Sequence, residues 1–275
     1  MPSPSQPTWG SQYRLVASEK WKAKSAAMGQ PLTDTLVDYA APVAGMRVLD
    51  LASGTGEPAI RLASRVGPSG HVTALDLSAE LLEITAKRAR TCGLDNLVTH
   101  RADANNLPFP DNTFDLVTSR YGVMFFRDEA FHEMRRVLRP SARACFVVWG
   151  SFEQPYWQSM MGVVHRHVGG PLLDPSGPNP FRFAEGGSLT KALKGAGFSH
   201  IHEETKTVPW TWPGTAQEVW EQAQAVSVPF RLMIERVPSD QWPRINAEIF
   251  AEVQKYSDGN ELKFGASVVL ASGTK

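Results

Sequence analysis

The segment Val48-Leu49-Asp50-Leu51-Ala52-Ser53-Gly54-Thr55-Gly56-Glu57-Pro58-Ala59 limits the possible folds of this chain more than any other. An apolar run ends near an acid, two glycines follow one residue apart, and a helix is predicted to begin at Pro58, where the missing N–H of proline costs nothing. Glycines at a strand-to-helix turn permit positive φ and let a ligand approach the backbone closely. The helix beyond them presents free N–H groups and the positive end of its dipole. Such a turn belongs to a β-turn-α unit.

The flanking sequence repeats the unit. Strands are predicted over Met46–Leu51, His71–Asp76, a run ending near Arg101, Phe114–Ser119 and Arg143–Gly150. Helices are predicted over Pro58–Val66, Ala79–Cys92 (capped by Ser78) and Asp128–Leu138. Before them come a loose tail over residues 1–12 and two short helices, Trp21–Met28 and Thr33–Ala41. Alternation of this kind implies a parallel sheet covered by helices on both faces. After Gly150 the rhythm breaks into a helix, a Pro/Gly-rich loop from Pro171 to Phe181, a helix over Ser188–Ala196 and a strand from Ser199 to Trp210. A helical stretch over 215–256, interrupted near Pro229 and Pro238, precedes a last strand over Leu262–Ser272. The expectation is one domain over 1–275. Its sheet core covers about 30–150, 198–210 and 262–273, with a helical cap over about 151–190 and 211–260 and helices at the N-terminus.

With 42% apolar residues in 275, the chain has material for a sizeable core. Lys and Arg balance Asp and Glu at 28 each. No basic block of the kind that holds nucleic acid occurs, and Lys87-Arg88-Arg90 and Arg135-Arg136-Arg139 read as solvated helix faces. Two cysteines, Cys92 closing a helix and Cys145 in an apolar strand, form neither a disulfide framework nor a metal-ligand spacing. A reducing cytoplasm is expected. The start MPSPSQPTWG lacks the charged and apolar parts of a secretory signal, and no apolar run reaches the ~20 residues of a membrane span. Oligomeric state is left open.

By itself Gly54-x-Gly56-x-x-Ala59 also fits a dinucleotide fingerprint. Two features argue for a different nucleoside. Asp50 ends the strand before the glycines, and Asp103 supplies a third acidic landmark after Asp76. Asp76, closing the second strand, can accept bonds from two ribose hydroxyls; Asp103 can accept from an adenine amino group.

The segments VLDLASGTG, VTALDLSAELL, ADANNLPFPDNTFDLVTS and HEMRRVLRP, in that order from about Val48 to Trp149, resemble the class I methyltransferase core. Within that class the chain is similar to the ubiquinone/menaquinone-biosynthesis C-methyltransferases. The resemblance implies an α/β, Rossmann-like seven-stranded sheet, S-adenosylmethionine as cofactor, and methyl transfer to O, C or N of a small, apolar or aromatic acceptor. It implies that Ala52, Ser53, Gly54 and Thr55 line the methionine end, with the amides around Gly54 and Gly56 embracing the ligand. Gly56 lets the helix close, Asp76 holds the ribose, Leu77 packs on adenine, and Asp103 and Ala104 border it. Arg120 and Tyr121 would face the sulfonium and the acceptor.

Three positions depart from the family pattern. Ala52 stands where many relatives carry glycine, though the quinone group tolerates alanine there. Ser141-Ala142 replaces a usual glycine pair, so that turn must be built differently. Arg120 would set a cation near a cationic sulfonium, and is expected to point away or to bind a carboxylate of cofactor or substrate. Candidates for a general base are Tyr121, His132, His165, His167, His200 and His202; Tyr121 and His165 are carried forward, and no metal is expected. His132 reads as solvent-facing, and His200 and His202 as surface residues of a strand. Among the aromatics Phe152, Tyr156, Trp157, Phe181, Phe183, Trp210, Trp212, Trp220, Phe230 and Trp242, some are core and some are expected to wall an acceptor pocket. Rival readings are a methyltransferase fold without transfer activity and a nicotinamide oxidoreductase.

Overall fold

A computed structural model describes residues 20–275. The tail expected over 1–12 lies outside the described residues. In chain order the first elements are α1 (Lys22–Ala40), β1 (Arg47–Leu51), α2 (Ala59–Val66), β2 (His71–Asp76), α3 (Ala79–Thr91) and β3 (Leu97–Arg101). Next come β4 (Phe114–Arg120), α4 (Glu129–Val137), β5 (Leu138–Trp149), α5 (Pro155–Trp157), a π-helical turn (Gln158–Gly162) and α6 (Val163–Val168). The chain closes with α7 (Ser188–Gly195), β6 (Ser199–Trp212), α8 (Ala216–Val226), α9 (Arg231–Glu235), α10 (Trp242–Gln254) and β7 (Leu262–Thr274).

The strands form a seven-stranded sheet in the order β3-β2-β1-β4-β5-β7-β6. β1 to β5 are parallel, and β7 runs antiparallel to β5. Val48, Leu49, Leu51, Val72, Ala74, Val117 and the run Ala144–Val148 are fully buried. Continuous apolar runs of this sort belong to parallel strands covered on both faces. From β1 the chain winds outward to β3, then returns to the other side of β1 with β4. That reversal opens a crevice beyond the carboxyl ends of the strands, the place where open α/β sheets bind ligands.

The chain divides into two compact units. One, covering 30–152, 179–208 and 266–275, contains β1 to β5 and the covering helices α2, α3, α4 and α7. The other, covering 20–29, 153–178 and 209–265, is mostly helical, and its interior is aromatic: Tyr156, Trp157, Trp210, Trp212, Trp220 and Phe230 are all buried.

Three expectations need correction. The two short N-terminal helices are one helix, α1, which runs through Pro31. Proline removes one helical hydrogen bond at a cost of about 3 kcal/mol. Full burial of Leu32, Leu36 and Val37 outweighs it, at roughly 1.5–3 kcal/mol each. The fifth strand begins at Leu138 and not at Arg143. Its register against β4 jumps from Phe114↔Leu138 to Leu116↔Arg143, and Ser141 takes a left-handed φ of 65°. A bulge thus replaces the missing glycine pair. Finally, the two basic clusters are not simply solvated faces. Arg136 donates to Glu133, to Asp111 and to the carbonyls of Leu107 and Phe109, while Arg88 donates to the carbonyl of Thr55 in the Gly-rich turn after β1.

Candidate active site

Register explains why residues far apart in sequence converge. In the adjacent strands β3, β2, β1 and β4, the carboxyl ends lead respectively into Asp103-Ala104, Asp76-Leu77, Ala52–Gly56 and Arg120-Tyr121. Parallel neighbours end at the same edge of the sheet, so all eleven residues expected at the cofactor stand along that edge. His165 lies on α6 of the helical unit, with Nε2 2.9 Å from the carbonyl of Gly170.

Asp50 is fully buried at the end of β1, and Thr118 Oγ1 donates to its Oδ1 at 2.8 Å. Burial pushes its carboxyl up to about 8, against the opposing pull of the Thr118 bond and the Arg120 charge. After Asp50 the chain turns sharply: Ala52 has φ 53°, Gly54 55° and Gly56 106°. Gly56 needs its missing side chain, since a Cβ there would lie 3.0 Å from Ile60 Cδ1 and 3.2 Å from Thr85 Cγ2. At Gly54 no atom lies within 4 Å of that position.

The N–H groups of Gly54 and Gly56 themselves are bonded within the protein. Gly54 N donates to Asp76 Oδ2 at 2.9 Å, and Gly56 N to Ser53 O at 2.8 Å. Asp76 is buried, and its Oδ1 accepts from Ser78 N at 2.9 Å. Each of its oxygens keeps a second lone pair, so bracing the turn leaves it able to accept from ribose hydroxyls. Beside it Leu77 is 50% exposed. Asp103 Oδ1 accepts from both the backbone and the side-chain nitrogen of Asn105, and Ala104 is buried behind it.

Arg120 Nη1 donates to Thr33 Oγ1 on α1 at 3.1 Å. Burial holds its guanidinium below the usual range, while Glu57, Tyr121 and Asp50 act in the other direction. Tyr121, at φ 59°, stacks on Trp149 with centroids 4.3 Å apart and planes 15° from parallel. Of the histidines, His132 is exposed on α4, His167 Nε2 meets Glu248 at 2.6 Å, and exposed His202 bonds Tyr39 through Nδ1. Among the described residues no group of three His, Cys, Asp or Glu side chains is placed to hold a metal. No described helix is long and apolar enough to cross a membrane.

Sequence reasoning missed Thr33, Thr85, Arg88 and Thr118. Thr85 and Arg88 carried a legible signal, the i,i+3 spacing that puts two side chains on one helix face. Thr33 and Thr118 carried none. Most of the aromatics of the helical unit serve as core rather than pocket; Trp220 and Trp242 line a cavity of about 500 Å³ within that unit, with Val228, Ile234 and Phe250.

Residues 48–141 match the family model described as a methyltransferase domain. The sheet order and the residues at the strand ends agree with that match, and with the resemblance carried by the sequence motifs. Over 126 residues the chain is 34% identical to the demethylmenaquinone methyltransferase of Listeria welshimeri, a stretch covering 45% of this chain and 53% of that protein. Over 103 residues it is 43% identical to the ubiquinone/menaquinone biosynthesis C-methyltransferase UbiE of Ectopseudomonas oleovorans, covering 36% of this chain and 61% of the relative. The chain thus spans a little over half the length of these curated relatives. The crystal structure of the YcgJ protein from Bacillus subtilis shares the fold, with a TM-score of 0.58 at 20% identity over 88% of this chain and 97% of that one.

Proposed function

We propose that this chain binds S-adenosylmethionine and transfers its methyl group to O, C or N of a small, apolar or aromatic acceptor. The observation that carries the reading is the convergence of Asp76, Leu77, Asp103 and the Gly54 turn along one edge of the sheet, at its switch point. These residues fit an adenosyl group. Asp76 retains acceptor capacity for the ribose, Leu77 offers an apolar surface for the adenine, and the open side of Gly54 leaves room for the methionine end. Arg120, bonded to Thr33, is assigned to the carboxylate of the cofactor, the alternative to pointing away from the sulfonium.

The cofactor supplies a methyl carbon already activated by the sulfonium. What falls to the protein is alignment of acceptor, methyl and sulfur, and exclusion of water. Positioning of this kind supplies roughly 7–11 kcal/mol in favourable cases. Tyr121, pinned against Trp149, is the candidate base beside the turn; His165 is the second candidate. A small apolar acceptor is supported by the similarity to the demethylmenaquinone and ubiquinone/menaquinone methyltransferases. The free thiols Cys92 and Cys145 suit a reducing cytoplasm.

Calorimetric titration with S-adenosylhomocysteine tests the reading. The wild type is expected to give a saturable isotherm, and Asp76→Ala to weaken it at least about tenfold, a loss of ~1.4 kcal/mol. Absence of heat with the wild type rejects cofactor binding; an unchanged dissociation constant in the variant removes Asp76 from the site. A mass-spectrometric screen with isotopically labelled cofactor then identifies metabolites that gain one methyl.

A further inference from the structure

The Gly-rich turn is held from behind by α3. Thr85 Oγ1 donates to Gly54 O at 2.9 Å, Arg88 Nη1 to Thr55 O at 2.6 Å, and Arg88 Nη2 to Glu57 Oε1 at 2.7 Å. Ser53 O accepts from Gly56 N, and Gly56 O from Ile60 N. All four carbonyls from Ser53 to Gly56 are therefore bonded within the protein. Three of the four amides are bonded too: Ser53 N donates to Leu75 O, Gly54 N to Asp76 Oδ2, and Gly56 N to Ser53 O. Among the described residues the N–H of Thr55 has no acceptor.

The carbonyl of Gly54 and the N–H of Thr55 belong to one peptide group. In a trans peptide these two point in opposite directions. The hold of Thr85 on Gly54 O consequently turns the Thr55 N–H away from α3. Gly54 reaches the required left-handed φ without strain. Arg88, on the same face of α3, fixes the next peptide in the same manner. Both α3 side chains are well sheltered, Thr85 fully and Arg88 with 26% of its side chain exposed.

We infer that Thr85 and Arg88 are positioning residues that aim the Thr55 N–H at an anionic oxygen on the amino-acid end of the bound cofactor. The inference rests on the cofactor reading above. Plain packing of α3 against the turn would stabilise the fold without favouring one end of the ligand over the other, and this difference supplies the test.

Thr85→Val keeps the branched shape and removes the hydroxyl; Thr85→Ser keeps the hydroxyl. Titration with S-adenosylhomocysteine is expected to show Thr85→Val about three- to tenfold weaker than wild type, with Thr85→Ser close to wild type. Adenosine, which lacks the amino-acid end, is expected to bind all three alike. Arg88→Met, measured in the same way, is expected to follow Thr85→Val, and decides the question should Thr85→Val not fold. Wild-type affinity for S-adenosylhomocysteine in Thr85→Val overturns the inference, as does an equal loss of adenosine binding. A wild type that takes no S-adenosylhomocysteine removes the cofactor reading and this inference with it, an outcome distinct from either.

Discussion

Asp50 shows how much one buried carboxyl can impose on a molecule of this kind. It receives a hydroxyl from Thr118, lies in the fields of Arg120 and Glu57, and faces the backbone N–H of Ala59, yet burial dominates and raises its pKa to about 8. A carboxyl raised in the folded state keeps a proton that the unfolded chain has already lost. Folding therefore takes up a proton between about pH 4 and pH 8. The stability contributed by this group is complete below the ordinary carboxylate range and declines as pH rises towards 8. Asp50→Asn should flatten that decline and unfold at a higher urea concentration than wild type at pH 8. Urea melts of both proteins at several pH values check it, and parallel curves across the range would contradict the assignment. That Asp50 ends a strand could be read from neighbouring residues. Its pairing with Thr118, in a strand that begins more than sixty positions later, depends on the β1-β4 register and left no trace in local sequence.

Among the elements, the connection leaving β4 is built tightly against the turn leaving β1. A Cβ on Gly122 would stand 2.4 Å from Ser119 Oγ and 2.7 Å from Ala52 Cβ, with Phe126 Cζ at 3.3 Å. Ala52 has the small side chain and positive φ that this contact accommodates. Gly122→Ala should therefore destabilise the protein by about 1–3 kcal/mol through overpacking, and also weaken S-adenosylhomocysteine, because the displaced partner includes the Gly-rich turn proposed to hold it. Chemical denaturation and calorimetry together check this; a loss of stability with unchanged affinity would show that the turn absorbs the strain elsewhere. The repeated β-α pattern made the existence and order of β1 to β5 legible. Continuity of α1 through Pro31 and the early start of β5 were not, since each reflects tertiary burial or pairing overriding a local breaker.

For the molecule as a whole, a ligand that binds only the folded state raises stability by mass action. S-adenosylhomocysteine at a hundred times its dissociation constant is expected to add about 2.7 kcal/mol and raise the melting temperature. NAD is expected to leave it unchanged. The reverse pattern in a thermal-shift measurement would favour the nicotinamide reading of the same glycine turn. The two compact units differ in what they drew from the sequence: the sheet unit follows alternation and turn chemistry, whereas the helical unit is organised by aromatic packing such as Trp157 on Phe230 and Trp220 near Trp242.

Sequence alone determined the parallel α/β core, the position of the glycine turn and the row of strand-end acids. These follow from periodicity, turn residues and strand order, all local properties of a chain. Tertiary structure decided that the amides of Gly54 and Gly56 serve the fold, that Arg88 and Arg136 turn inward, and that most of the aromatics in the helical unit are core. Such outcomes depend on which distant groups meet across a register or a packed face, and a hydrogen bond or contact exists only once both partners have been brought within a few ångströms.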